Sequence, residues 1–141
     1  MPLSSDDEQR IVRAIESAEQ RCSGELRVHI QAKCTGEPLK DAQRVFTKLG
    51  MHQTELRNGI LFYFALDSRK YAVLGDTGIH AKVGQAFWDG IRDAMAVHLR
   101  AGHLIEAIEL GIAQAGSALA AYFPHQGAQD RDELSNEVSR G

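Results

Sequence analysis

The sequence predicts a single α/β domain built on a short mixed sheet, and three patterns carry that prediction. Residues 25–32 alternate polar and apolar side chains, as in a strand that buries one face. Residues 60–66 are apolar without interruption, as in a central strand covered on both faces. Helical periodicity over residues 39–49 separates them, which favours a right-handed parallel crossover. After a short polar turn, residues 71–74 are expected to return antiparallel as a hairpin partner.

Further helices are expected before and after these strands. Ser4 or Ser5 can cap a first helix, because an acidic turn follows and apolar residues then recur at helical spacing. Beyond the hairpin the chain is helical in two or three segments, until Pro124 stops the last one. We therefore assign residues 1–125 to one domain. Residues 126–141 are mostly charged or small polar and are predicted to form a flexible polar tail.

Length, composition and charge indicate a soluble globular protein. With 141 residues, 43% hydrophobic and 25% charged, the chain can bury one core. A net charge of -3 provides no positive field, which argues against nucleic-acid binding. No secretory signal and no apolar run of bilayer length are apparent, so a cytoplasmic protein without a membrane span is expected. Cys22 and Cys34 flank the first strand, roughly 30 Å apart or more, beyond disulfide reach.

Three Gly-containing turns are expected to meet at one edge of the sheet. Parallel strands begin at the same edge and the hairpin returns there, so Glu25, Asn58 and Asp76 should lie close together, with Arg57 beside them. Two carboxylates, an amide and backbone carbonyls resemble an incomplete oxygen cage for calcium or magnesium, completed by water. The Arg57 guanidinium and the free amides of the next helix N-terminus are alternatively able to hold a phosphate.

The same residues also allow a purely structural interpretation. In that case the glycines supply the turns, Glu25 pairs with Arg57, and Asp76 caps the following helix. Ligands on open parallel sheets normally bind at the C-terminal ends of the strands. Asp67, near that opposite edge, is therefore the competing acid, although its position also suits a tight hairpin turn.

Other polar side chains are weaker candidates for a site. Asp89 and Asp93 share a helical face beside Trp88, as expected of a solvated helix face and a packing residue. His80 is the histidine nearest to the converging turns. The six histidines show no HExxH pattern, and the chain lacks GxSxG, a P-loop and a complete GxGxxG fingerprint. A zinc site and a nucleotide-cofactor enzyme are therefore disfavoured.

An ordered string of motifs resembles the TPM domain family. It runs through residues 23–28 (SGELRV), 51–61 (MHQTELRNGIL), 71–79 (YAVLGDTGI) and 119–124 (LAAYFP), and covers about residues 8–124. The resemblance implies a three-layer αβα sandwich, with helices on both faces of the mixed sheet. Many members of the family carry a signal peptide and a C-terminal membrane span. The chain shows neither, so it looks like the short, free-standing bacterial type.

The resemblance implies two alternative functions. Some members of the family, in the thylakoid lumen, are linked to photosystem repair and described as acid phosphatases. Related bacterial domains look like divalent-cation binders. No residue of this chain matches a catalytic nucleophile of the family.

Three functions therefore compete. The first is a calcium- or magnesium-binding domain with a regulatory or interaction role, using Glu25, Asn58 and Asp76. The second is a metal-assisted acid phosphatase, in which the cation and Arg57 stabilise the charge of a phosphomonoester while bound water attacks. The third is a metal-independent module that binds a protein partner. Its motivation is the long apolar C-terminal helical region, which is more than one sheet face needs.

Overall fold

The computed structural model describes residues 3–125 and 136–141, which form a four-stranded mixed sheet with helices on both faces. A short 3-10 helix, Met51–Gln53, precedes the second strand. The other elements, in chain order, are α1 (Ser5–Glu19), β1 (Glu25–Gln31), α2 (Pro38–Lys48), β2 (Gly59–Ala65), β3 (Lys70–Gly75), α3 (Thr77–Val83), α4 (Gln85–Arg100), α5 (Leu104–Tyr122) and β4 (Ser139–Arg140). The predicted α/β class and the sandwich of helices around a mixed sheet are confirmed.

The strand order is β3-β2-β1-β4. Strands β1 and β2 run parallel and are joined through α2, in a register that pairs Glu25 with Gly59 and Gln31 with Ala65. Strand β3 returns antiparallel against β2. The predicted crossover and hairpin are therefore both present. Because β1 and β2 are parallel, Glu25 and Gly59 begin their strands side by side.

The two faces of the sheet bury separate cores. Strand β2 is buried along its whole length, as its apolar sequence predicts. The even-numbered positions of β1 and β2 pack against α1, α4 and α5, whereas the odd-numbered positions of β2 pack against α2. The first set comprises Leu26, Val28, Ile30, Ile60, Phe62 and Phe64. The second comprises Leu61, Tyr63 and Ala65.

Helix α1 begins at the cap that its sequence predicts. The Asp7 backbone N–H donates to Ser4 Oγ at 3.0 Å, and the Ser4 N–H donates to Asp7 Oδ2 at 3.3 Å. Both cysteines are buried free thiols. Burial raises the pKa of Cys22 to about 11, so this thiol stays protonated at neutral pH.

Helix α5 is the longest and most apolar helix in the described part of the chain. Over 18 of its 19 residues the mean hydropathy is 1.3, so by length and composition the helix could cross a membrane. Half of that stretch is buried inside the fold, as in the core helices of soluble proteins. Small residues allow that packing, since a Cβ added at Gly111 would lie 2.9 Å from Phe62 and one added at Gly116 would lie 2.9 Å from Ala18. The absence of a membrane span stays a prediction.

Core packing also accounts for much of the apolar surface of this C-terminal region. Nine residues of α5 are buried. The exposed large hydrophobic side chains of the described residues are Leu39, Leu56, Val97 and Tyr122, one on each of four segments. A role for this apolar region in binding a protein partner stays a prediction.

Strand β4 lies within residues 126–141, where the sequence predicts a flexible tail and no strand. Residues 126–135, which make up most of the predicted polar tail, lie outside the described residues. At its end, Ser139 pairs in register with His29, and β4 runs parallel to β1. The Gly141 N–H continues the ladder by donating to a β1 carbonyl at 3.1 Å. A strand of two residues is too short for polar and apolar positions to alternate detectably, so the local pattern does not reveal it.

Candidate functional site

The predicted site residues lie around Gly59, the first residue of β2. Glu25 pairs with Gly59 across the parallel register on one side. On the other side the Asp76 N–H donates to the Gly59 carbonyl at 2.9 Å. Asn58 immediately precedes Gly59 in the chain. The sheet topology thus brings Glu25, Asn58 and Asp76 to neighbouring positions at one edge, as the strand directions predict.

This edge concentrates the buried polar side chains of the protein. The exposed fractions of Glu25, Asn58 and Asp76 are 2%, 1% and 5%. Thr54, in the turn before β2, is buried as well. These four account for most of the buried polar or charged residues in the described ranges. Burial of polar groups costs free energy unless hydrogen bonds or ions compensate it. Such a concentration is therefore a candidate for a ligand site.

Two of these groups have no hydrogen-bond partner within the described ranges. They are the Thr54 hydroxyl and the Asn58 side-chain nitrogen, both fully buried. The oxygen and nitrogen of a side-chain amide are distinguished by their hydrogen bonds. Rotation of the Asn58 amide would place its carbonyl oxygen where the nitrogen now lies. The edge therefore holds buried polar atoms that a ligand could satisfy.

Asp76 accepts hydrogen bonds at both of its carboxylate oxygens. Arg57 donates to it through two nitrogens, Nε to Oδ2 at 2.7 Å and Nη2 to Oδ1 at 2.9 Å. The Thr77 N–H also donates to Oδ1 at 2.7 Å, so Asp76 caps α3 as the structural interpretation predicts. That interpretation expected Arg57 to pair with Glu25, whereas in the structure the guanidinium forms an ion pair with Asp76. The hydrogen bonds from Arg57 to Asp76 raise the pKa of the guanidinium above its usual value, so it stays charged.

Close backbone contact holds the Arg57 turn against α3. The Arg57 carbonyl accepts from the Gly78 N–H at 2.7 Å and from the Ile79 N–H at 3.3 Å. A Cβ at position 78 would lie 2.2 Å from the Leu56 carbonyl oxygen, so only glycine fits there. Arg57 itself has a φ of 52°, in the left-handed region that non-glycine residues seldom adopt. Such backbone strain is often found at functional sites.

A cavity of about 410 Å³ opens beside the pair of Arg57 and Asp76, between α2, β3 and the helices α3 and α4. Trp88 Nε1–H donates to His80 Nδ1 at 2.9 Å, which leaves the proton of a neutral His80 ring on Nε2. The polar lining residues are Gln43, Thr47, His52, Arg57, Asp76, Thr77, His80 and Gln85. Glu25 and Asn58 do not line this cavity.

Asp76, Arg57 and His80 were predicted from the sequence, whereas five other polar lining residues were not. These are Gln43, Thr47, His52, Thr77 and Gln85. His52 lies in the short 3-10 helix and Gln85 begins α4, so only the packing of separate elements brings them together. Thr77 follows Asp76 directly and could have been found from its position at the start of a capped helix.

The competing acids lie away from this edge. Asp67 follows the end of β2, at the opposite edge of the sheet, beside the turn into β3. Asp89 and Asp93 both approach Arg92, at 3.7 and 3.6 Å, on an exposed face of α4. Trp88 is buried in the core. These placements fit the structural interpretation of each residue.

The described ranges contain no cluster of three or more His, Cys, Asp or Glu side chains that could hold a metal ion. A cation at the Gly59 edge would therefore need ligands of other types. The Asn58 carbonyl oxygen, backbone carbonyls and water are the candidates, alongside the carboxylates.

We expect Asp76→Ala to lower the free energy of unfolding by about 1 kcal/mol from the lost helix cap. Loss of the bonds to Arg57 adds to this effect. Asp76→Asn should cost less, because an asparagine also caps a helix. Urea unfolding of both variants measures the difference, with Asp93→Ala on the exposed face of α4 as the control. Equal losses for the alanine and asparagine variants would contradict the importance of the cap.

Comparison with known proteins places this architecture among related sequences and structures. The sequence profile of the TPM domain matches residues 2–118. The fold is similar to the NMR structure of BA42 protein from the psychrophilic bacterium Bizionia argentinensis, with a TM-score of 0.91 and 38% identity over 100% of this chain and 97% of that one. No curated protein sequence matches the chain.

The N-terminal domain of cg2496 protein from Corynebacterium glutamicum, solved by solution NMR, is more distant. Its TM-score is 0.66 at 19% identity, over 83% of this chain and 74% of that one. At this identity the likeness concerns the fold alone.

Proposed function

The chain belongs to the TPM domain family, and from that premise we propose that it is a divalent-cation-binding domain with a regulatory or interaction role. The proposed ligands are Glu25, Asn58 and Asp76, and the proposed ion is calcium or magnesium. The observation that supports this most is the burial of three oxygen-bearing side chains around the Gly59 edge.

The types of ligand suit a hard cation. Calcium and magnesium bind oxygen atoms, from carboxylates, amide or backbone carbonyls and water. Glu25 and Asp76 supply negative charge, and a rotated Asn58 amide supplies a neutral oxygen. Sulfur and imidazole ligands, which favour zinc and other transition metals, are not among the proposed residues. Calcium tolerates irregular geometry better than magnesium, so a site built partly from turn backbone favours calcium.

Arg57 is the expected competitor of the cation. Both oxygens of Asp76 accept hydrogen bonds from its guanidinium, so an incoming ion must share Asp76 or displace Arg57. The Arg57 side chain is 46% exposed, whereas that of Asp76 is 4% exposed. The guanidinium can therefore move into solvent while the carboxylate stays in place. Cation binding would then be coupled to release of Arg57, which gives the domain a means of signalling its bound state.

A calcium titration followed by NMR and calorimetry tests the proposal. Saturable shifts are expected at residues 25, 58 and 76, and Glu25→Gln should weaken binding by about tenfold. Arg57→Gln should strengthen binding, because it removes a competing positive charge. Asp67→Asn, at the opposite edge of the sheet, is the control and should bind as the wild type does. No response in the wild type, or an unchanged affinity in Glu25→Gln, would remove the proposal.

A metal-assisted acid phosphatase is the second candidate, and the cavity beside Arg57 favours it. Arg57, Thr77 and His80 line a space of about 410 Å³ next to Asp76. A phosphate there could contact the exposed part of the guanidinium, while a cation at Asp76 activates water for attack.

A hydrolysis assay with a phosphomonoester distinguishes the two candidates. The assay would run from acid to neutral pH with calcium, magnesium or manganese. In a phosphatase, Arg57→Gln should abolish turnover, although the same variant is expected to bind calcium more tightly. No hydrolysis with any of the three metals would remove the phosphatase.

A further inference from the structure

A second cavity, of about 460 Å³, lies at the opposite edge of the sheet, between the end of β1, α2 and β4. The parallel strands β1 and β4 both end here. Ligands on open parallel sheets normally bind at the C-terminal ends of the strands. The basic residues that line it are Lys33, Arg44, Lys48 and Arg140. Because the whole protein has a net charge of -3, this grouping of positive charge is local.

Two of the four basic side chains are neutralised by carboxylates. Arg140 pairs with Glu8. Arg44 Nε donates to Asp41 Oδ1, in the same helix, at 2.8 Å. The two Nη groups of Arg44 take no part in that bond. Lys33 and Lys48 differ, because within the described ranges neither ammonium group forms an ion pair with an Asp or Glu side chain. Their ammonium groups therefore provide positive charge that an incoming anion could neutralise.

A buried hydrogen-bond network forms the inner wall of this cavity. The His29 ring is 4% exposed, with Nδ1 3.0 Å from Ser139 Oγ and Nε2 2.8 Å from Gln31 Oε1. Gln31 Nε2 donates to Asp41 Oδ2 at 2.8 Å, and the Tyr63 hydroxyl donates to the same oxygen. Because the Asp41 carboxylate accepts from the amide nitrogen of Gln31, the amide oxygen Oε1 of Gln31 faces the His29 ring. His29 therefore carries its proton on Nε2 and accepts the Ser139 hydroxyl at Nδ1.

The electrostatics of this wall favour a neutral histidine. Burial lowers the pKa of His29 below its usual value, and the positive charges of Arg44 and Lys48 act in the same direction. The Tyr63 hydrogen bond lowers the pKa of Asp41, so that carboxylate stays ionised and paired. The His29, Gln31 and Ser139 side chains thus contribute polar atoms without charge, and the lysines at the rim supply positive charge.

We propose that this cavity is a binding site for a small oxyanion, held by Lys33 and Lys48 with the free Nη groups of Arg44 as further donors. Phosphate and carboxylate groups share the required chemistry, which is negative charge spread over oxygen acceptors. The volume is within the range of small-molecule sites. The site is separate from the Gly59 edge, so it does not depend on cation binding there.

Titrations with inorganic phosphate and with succinate, at constant ionic strength and with a chelator present, test the proposal and separate the two sources of oxyanion. Saturable NMR shifts are expected at residues 29–33, 44–48 and 139–141, with chloride at equal ionic strength causing none. Response to one anion alone identifies the group that the site selects, and response to both indicates a general oxyanion site.

Charge-removing variants supply the decisive comparison. Lys33→Gln and Lys48→Gln should each weaken binding by about tenfold, since one charge-assisted contact is lost. Both lysines are exposed, so the fold should tolerate these changes. Lys82→Gln, on the exposed surface of α3, is the matched control and should leave the affinity unchanged. No saturable response to either anion, shifts confined to residues 52–57 and 76–80, or wild-type affinity in the double lysine variant would overturn the proposal.

Discussion

Gly78→Ala is expected to lower the free energy of unfolding by about 3 kcal/mol. The added Cβ would lie 2.2 Å from the Leu56 carbonyl oxygen and 2.6 Å from that of Arg57. Both are backbone atoms, so the clash cannot be relieved by a side-chain rotation. The hydrogen bond from the Gly78 N–H to the Arg57 carbonyl, at 2.7 Å, would have to lengthen as the two turns separate.

The same substitution should also disturb the candidate site. Separation of the turns moves Arg57 away from Asp76, which begins α3 as its cap. Unfolding in guanidinium chloride measures the change in stability, and the NMR signals of Arg57 and Asp76 report the local displacement. Gly90→Ala is the matched control, because nothing lies within 4 Å of a Cβ there and the residue is inside α4. That control should be stabilised by up to about 1 kcal/mol. A Gly78→Ala protein as stable as the wild type would show that the turns do not depend on this contact.

Phe62→Ala is expected to lower the free energy of unfolding by about 3 to 5 kcal/mol, the usual range for truncating a buried aromatic side chain to alanine. Phe62 is fully buried in the central strand β2, between Val28 of β1 and Val73 of β3 in register. Helix α5 approaches it so closely that a Cβ at Gly111 would lie 2.9 Å from the ring. Neighbours held by the strand and the helix can move little into the vacated space, so a cavity remains.

Phe87→Ala is the control for this second prediction. Phe87 is a half-buried residue of α4 that packs edge-on against Trp88. Its truncation removes less buried surface and opens the space to solvent, so its cost should be clearly smaller. Chemical unfolding of both variants measures the two losses. Similar losses would mean that the core is not centred on β2.

Local sequence patterns were sufficient to predict most of the sheet. Alternation predicted β1, an uninterrupted apolar run predicted β2, and a helical segment between them predicted the parallel crossover that the register confirms. Each pattern lies within a few residues of chain, so it can be recognised without knowing what packs on it. The direction of the strands then placed Glu25, Asn58 and Asp76 at one edge, because parallel strands must begin together.

Contacts between distant segments decided the rest. Arg57 pairs with Asp76, a partner that the sequence did not predict, since close packing of two turns at Gly78 brings the two residues together. Strand β4 is held to β1 by Ser139 and His29, 110 positions apart in the chain. A strand of two residues carries no periodic signal, and its stability comes from a partner strand that the local sequence does not encode. The sequence alone therefore determined the elements and the edge of the candidate site, whereas the ion pairs, the second basic cavity and the last strand depend on tertiary packing.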